Sequence, residues 1–580
     1  MPAGNHANGT AQELLLDLVS AAPVTYCLSV VEIAPVGEGW RTLSRGLWNE
    51  ARAIFEEELE AGDSAQALEG LSWAAWWLDD AEAVFEARER AYRLYKKGGD
   101  PASAARMATW LAADHLDFHG ALAVAGGWLR RARRMLEPLD PAPDHGWLAF
   151  HEGYVAHITG DAEQAQELGA EAAHLGRRFE VPDLEMLGLA LQGASLVASA
   201  RVDEGMRCLD EATATALAGE ATVPISSAWT CCFMVGACTA ALDYQRAFEW
   251  CDRIAEFAER YGSRYMLAYC RAKYGEVYLW RGRWVDAEAL LESSIEDFLR
   301  SRPAWAADAL VGLAELRRHQ GRSEEVSRLL SRAGASTASQ LCGARLALDR
   351  GEALRAVELG ERLLRRLPAG RWLERAPVLA LLVRARVARG ELEEAAGAVE
   401  ALRETERRVG TAPFTASTDL AEGILAAATG EHERARPLLE DALDCFERCG
   451  APFEASQVRI ELATSLAAVG RTEAAEREAV TARDRLIELG ADAERARRLL
   501  EGPIRGGVAS RLPEVTPRER EVLKRLAEGL TNRQIAERLV VSEHTIHRHV
   551  TNILRKLDLP SRTAAAAYAA RSGLLGDADI

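Results

Sequence analysis

Three of the chain's twelve histidines fall within six positions, in the stretch SEHTIHRHV over residues 542–550. Histidine is the commonest metal ligand and a frequent acid–base group, so this stretch is the first place to look for chemistry. The surroundings read as helix. At about 100° per residue, His544 and His547 lie ~60° apart on the helix surface and His549 points away from both. A metal needs converging ligands, and no Cys, Asp or Glu completes the set on that face. A second cluster, DHLDFH over 114–119, sets His115 and His119 one helical turn apart beside Asp114 and Asp117. It is half of a zinc site without a third ligand, and its histidines are expected to be solvated or capping residues. Cys445 and Cys449 share a helix face, and such a pair is expected to be two buried small side chains. No GxxxxGK[ST] phosphate loop is present, none of the five lysines follows a glycine, and no serine sits in a nucleophile elbow. The reading is therefore of a protein that is not an enzyme and that needs no metal or cofactor.

The elements that could position these residues are helices throughout. With 580 residues the chain is too long for one compact core. No apolar run approaches the ~18–20 residues a membrane span requires. The N-terminus lacks the basic and apolar regions of a secretory signal, and the ten cysteines show no disulfide or metal framework. A reducing cytoplasm is the expected setting. Arginine outnumbers lysine 65 to 5, which suggests a GC-rich bacterial genome. Charge is uneven: residues 512–575 hold 11 Lys/Arg against 7 Asp/Glu, whereas residues 1–511 hold 59 against 79. A small basic unit behind an acidic body suits a tail that meets nucleic acid.

A repeat runs through most of the acidic body. The pattern Gly-x4-Ala with Leu three or four residues later begins at Gly282, Gly351, Gly390, Gly430 and Gly470. Gly160 starts an upstream copy, and Gly321 a weaker one with Val326 in the alanine slot. From Gly282 to Gly470 the glycines are 39, 30, 39, 40 and 40 residues apart. Each unit reads as an apolar helix, a glycine turn and an amphipathic helix, and residues 48–59 and 79–92 read as degenerate second helices. Tyr274, Gly275, Tyr278, Gly282, Ala287 and Leu291 fall at the signature offsets of tetratricopeptide repeats, which these units resemble. The longer period is similar to the sensor region of the maltose-activator branch of LuxR-type regulators, without that branch's P-loop NTPase module. Stacked hairpins present a concave surface. By the offsets of the resemblance, Trp147, Phe150, Tyr154, His157, Tyr269, Glu276 and Arg384 should line it, either as plain packing residues or as a groove for an effector or a partner protein.

Residues 501–515 are rich in Gly and Pro and break the repeat. Beyond them, Thr516 with Glu519 and Thr531 with Gln534 form capping boxes, and Gly529 ends the first of these helices. Val540–Val541 make a short turn, and Ser542 caps a third helix running to about Leu557. Ile546, Val550, Ile553 and Leu557 form its buried stripe. His544, His547, Arg548, Thr551 and Arg555 face outward, as in a helix-turn-helix whose outer face enters the major groove.

The whole stretch from Thr516 to Leu575 is similar to the LuxR-type DNA-binding domain. The resemblance implies base contacts from His547, Arg548 and Thr551. Thr545, His549, Asn552 and Lys556 would sit near the backbone or brace the helix, with Ser542 and Arg555 completing the interface. The family often has Lys where His547 stands. It also implies that the fourth helix, about 561–573 with its AAAAYAA run, mediates dimerisation on DNA.

The expected architecture is all-α: an N-terminal extension over 1–39, a tetratricopeptide-like solenoid over 40–500, a linker over 501–512, and a small four-helix helix-turn-helix domain over 513–576. The expected partners are double-stranded operator DNA, a second copy of the chain, and an effector or partner protein on the solenoid. A tethered interaction scaffold is the rival reading.

Overall fold

The computed structural model describes residues 37–218, 221, 224–251, 264–502, 504, 516–557, 559 and 561–571. The expected N-terminal extension and linker lie almost wholly outside the described residues. Every regular element among the described residues is a helix, and none is long and apolar enough to cross a membrane. From Glu38 to Glu501 the helices pair into successive antiparallel hairpins, such as Pro143–Thr159 with Ala162–Arg178, Arg264–Trp280 with Trp284–Ser301, and Pro452–Ala468 with Thr472–Leu489. The expected second helices near 48–59 and 79–92 are Trp48–Glu60 and Ala81–Gly98. This is the expected helical-hairpin solenoid.

The glycines do what the repeat requires of them. Gly160, Gly282, Gly321, Gly351, Gly390, Gly430 and Gly470 all hold positive φ between the two helices of a hairpin, where an L side chain would be strained. The amide of the next residue closes each turn, as when Asp161 donates to the Ala156 carbonyl at 2.9 Å. Five residues past each glycine, Ala165, Ala287, Val326, Ala356, Ala395, Ala435 and Ala475 are completely buried. Gly275 allows the close approach of one helix to the next, because a Cβ there would stand 2.6 Å from Leu291 Cγ.

First and second helices bury different amounts of surface. Pro182–Ala198 is buried almost all round, since it packs on its own partner and on the next hairpin. Ala353–Arg366 buries only Ala356, Val357, Gly360 and Leu363, a single stripe at helical spacing.

The stack coils tightly enough for residues far apart in sequence to meet. Arg302, completely buried, donates to Asp79 at 2.7 Å and lies 3.7 Å from the centre of the Phe118 ring. Arg371 donates to the His157 carbonyl at 3.2 Å. The Thr411 hydroxyl donates to the Ala241 carbonyl at 2.8 Å. His319 stacks on Phe453 at 3.9 Å, and the Asp492 amide donates to the His319 carbonyl at 2.9 Å. Successive turns of the superhelix thus touch, and the concave side becomes a walled lumen.

Replacing Arg302 by Ala leaves Asp79 without its buried cation, which should cost about 3 kcal/mol, with Arg302→Met recovering part of it. Hydrogen exchange should quicken in Ala65–Trp77 as well as near residue 302. Faster exchange confined to the neighbourhood of residue 302 would contradict the turn-to-turn contact.

Candidate nucleic-acid interface and lumen

Four short helices form the C-terminal unit: Pro517–Ala527, Asn532–Leu539, Glu543–Lys556 and Arg562–Arg571. Both capping boxes are present. The Glu519 amide donates to Thr516 Oγ1 at 3.2 Å and the Thr516 amide to Glu519 Oε2 at 2.9 Å; Thr531 and Gln534 repeat the arrangement. Val522, Leu523, Leu526, Ile535, Ile546, Val550 and Ile553 close a core of the unit's own.

The third helix splits as its pattern requires. His544, His547, Arg548, Thr551 and Arg555 are exposed, and Thr545, His549, Asn552 and Lys556 are half-buried. Neither Arg548 nor Arg555 has an ion-pair partner among the described residues, so both guanidinium groups are available to an outside acceptor. The Thr551 hydroxyl donates to the His547 carbonyl at 3.0 Å. Ser542 accepts from the Thr545 amide at 3.1 Å and so serves as the cap. Lys556 is a brace: its ammonium donates to the buried Glu519 carboxylate at 2.8 Å, tying the third helix to the first. That bond, with the capping amide, holds the Glu519 carboxyl below its usual range against the opposing effect of burial.

Two features of this unit were not expected. Val540, 89% exposed, closes the second helix at φ 53°, a region costly for a β-branched residue. Ala565 and Ala569 of the fourth helix are spent on the unit's own core, so those two small side chains are not available for close approach by a second copy.

In the solenoid, five of the seven expected groove residues, Phe150, Tyr154, His157, Tyr269 and Glu276, line one cavity of about 710 Å3 within the lumen. Trp147 stands behind them, packed 5.5 Å from Trp110. Arg384 is outside this lining, with Glu461, Arg495 and Asp349 as its charged neighbours.

The cavity also takes residues beyond those expected: the aromatic side chains of Trp229, Phe233, Tyr265 and Trp305, and the charged groups Asp117, Lys273, Asp308 and Arg371. Lys273 donates to Glu276 at 2.9 Å, and the Tyr269 hydroxyl to the Cys232 carbonyl at 3.2 Å. His157 Nδ1 is 2.9 Å from the Ser195 hydroxyl, and burial, then Arg371, pushes the imidazole down to about 4.

The DHLDFH cluster separates by face. His115, half-buried, and His119, exposed at the end of its helix as expected of a solvated residue, flank the Phe85 ring at 4.7 and 4.9 Å. Asp114 pairs with Arg88 at 2.8 Å, both fully buried, and Asp117 turns to the cavity. Cys445 is buried with its sulfur 4.0 Å from that of Cys449. No group of three or more His, Cys, Asp or Glu residues able to hold a metal occurs among the described residues.

Comparison with known proteins places the C-terminal unit. Residues 514–569 match the family model described as bacterial regulatory proteins, luxR family, so this unit is a LuxR-type helix-turn-helix domain. The chain is 43% identical over 86 residues to the transcriptional regulatory protein LiaR of Bacillus subtilis, covering 13% of this chain and 41% of that protein. It is 47% identical over 55 residues to the nitrate/nitrite response regulator NarL of Escherichia coli, covering 10% and 26%. The matched stretch spans less than half the length of each of these relatives. A crystal structure of the APC/C hetero-tetramer Cut9–Hcn1 aligns over 92% of this chain and 95% of that one, at 12% identity and a TM-score of 0.42.

Substituting Val540 by Gly should stabilise the C-terminal unit by about 1 kcal/mol, since glycine holds positive φ without strain; chemical denaturation of residues 506–580 reads this directly, and a lower midpoint would contradict it. In the lumen, burial pushes the Asp117 carboxyl up to about 7, opposed by Arg302 and Arg88 and assisted by Asp114. Its folded-state value is raised, so its contribution to stability is full below about pH 4 and lost as pH rises through about 7. Asp117→Asn should therefore show a smaller drop in melting temperature between about pH 5 and pH 8 than the unaltered protein. An equal drop in both would contradict the assignment.

Proposed function

We propose that this chain is a sequence-specific, DNA-binding transcriptional regulator that works in the cytoplasm, in which the solenoid receives an input and controls the C-terminal helix-turn-helix. The observation that carries the reading is the exposed face of Glu543–Lys556, where Arg548 has no ion-pair partner among the described residues and stands beside His547 and Thr551, within a segment that matches the luxR family model. Arg548 is the side chain suited to a bidentate contact with guanine O6 and N7. Arg555 is suited to phosphate. His547 can donate to guanine as well, with less charge near neutral pH than a lysine would bring. The protein acts as a homodimer on paired half-sites, joined through surfaces of the fourth helix other than Ala565 and Ala569.

For the input, the cavity favours a small-molecule effector over a partner protein, because its aromatic lining faces inward and contacts between successive turns of the coil, such as Arg371 with the His157 carbonyl, border it. A groove for a partner chain would offer such side chains along an open surface.

Arg548→Ala should weaken binding to a selected operator by about 1–3 kcal/mol and relax the base preference at one position. Arg555→Ala should weaken all DNA alike and lower the salt slope by about one. Both are read by fluorescence anisotropy on matched and scrambled duplexes. If Arg548→Ala reduced affinity for the two duplexes equally, its role in base recognition would be excluded.

A further inference from the structure

The charges that face the lumen cavity do not balance. Four carboxylates and two cations line it. Glu276 accepts from Lys273 at 2.9 Å, and Glu374 from Arg371 at 2.7 Å. The other two carboxylates, Asp117 and Asp308, make no hydrogen bond or ion pair among the described residues, and the cations near them, Arg302 and Arg88 for Asp117 and Lys273 for Asp308, are bonded to Asp79, Asp114 and Glu276. Asp117 is only 6% exposed. Its oxygens are not sealed in the protein interior but border the cavity. The two histidines nearby add no cation, since burial pushes His151 down to about 3 and His157 down to about 4.

A carboxylate held out of water without a partner is costly, and a partner that brings positive charge removes that cost. Eight aromatic side chains line the same cavity, among them Tyr154, Trp229, Tyr265, Tyr269 and Trp305. Ring faces carry negative potential and attract cations, most strongly where water is excluded. Both aspartates lie near one ring, for burial first and then Asp117 and Asp308 push the Tyr154 phenol up. The volume, about 710 Å3, is in the range that encloses a drug-sized molecule. An anion would meet an excess of carboxylate over cation here.

We propose that the cavity binds a hydrophobic organic cation, its charge against Asp117 and Asp308 and its body among the surrounding rings. This rests on the reading of the solenoid as the input module and supplies the chemical class of its effector.

The test uses the full-length chain, without DNA, and two dyes that share a xanthene frame: cationic rhodamine 6G and anionic fluorescein. Rhodamine 6G should bind saturably by fluorescence anisotropy, be displaced by tetraphenylphosphonium, and bind at least about tenfold more tightly than fluorescein. Asp117→Asn and Asp308→Asn should each weaken rhodamine 6G about tenfold or more. Removing a buried charge that makes no ion pair should leave melting temperature near pH 8 unchanged or raised. Equal binding of the two dyes, absence of binding by both cations, or variants that bind rhodamine 6G as tightly as the unaltered chain would each overturn the proposal. A parallel titration with operator DNA separates this from the regulatory reading. Cation binding that leaves DNA affinity unchanged supports the site and overturns the control. DNA affinity that responds to a neutral or anionic compound, with no cation bound, overturns the cation class and keeps the control.

Discussion

A stack of helix hairpins encloses something only if it coils back upon itself, and that closure is the constraint on which the solenoid depends. Repeat arrays are usually held by contacts between neighbouring units alone. Here the ion pair of Arg302 with Asp79 joins residues 223 apart in sequence, and the bond from Thr411 to the Ala241 carbonyl joins residues 170 apart. The cavity walls come from stretches as distant as Ala113 and Pro377, so they form a cavity only while the coil is closed. A ligand that fills the cavity binds across turns.

Local chemistry and distant contact left different traces in the sequence. The hairpin turns were legible wherever glycine marks the left-handed position, since that conformation is costly for other residues. Three hairpins in the earlier half place Asp79, Ala200 and Leu242 at the same position, with φ of 59°, 62° and 61°. Their turns carry the same bond, from the residue after the turn back to the first helix, without the glycine that would reveal it. The capped helices of the C-terminal unit were legible for the same reason as the glycine turns: a cap is a short-range hydrogen bond between residues three apart.

The candidate sites were legible in proportion to how local they are. The outward face of the third helix follows from one helix's periodicity, and His547, Arg548, Thr551 and Arg555 are exposed together. In the lumen, repeat offsets found Phe150, Tyr154, His157, Tyr269 and Glu276. Asp308 holds the same offset before Gly321 as Tyr269 before Gly282, and only the weakness of that repeat copy hid it; Arg371 could not be found this way, because the next turn of the coil, not the local repeat, brings it to the cavity. The offset of Glu276 in a later hairpin carried Arg384 to a different part of the solenoid. Asp117 was visible only as a member of a cluster whose histidines proved to pack on Phe85.

The chain joins two units that differ in charge and in kind, an acidic coil around an aromatic cavity and a LuxR-type unit with its own core, and we propose that the first controls the second. The most direct measurement is DNA binding by the full-length chain and by residues 506–580, side by side on the same pooled fragments at two salt concentrations. The account predicts specific, salt-sensitive binding by the short form and weaker binding by the full-length chain. Equal affinity of the two forms would contradict it.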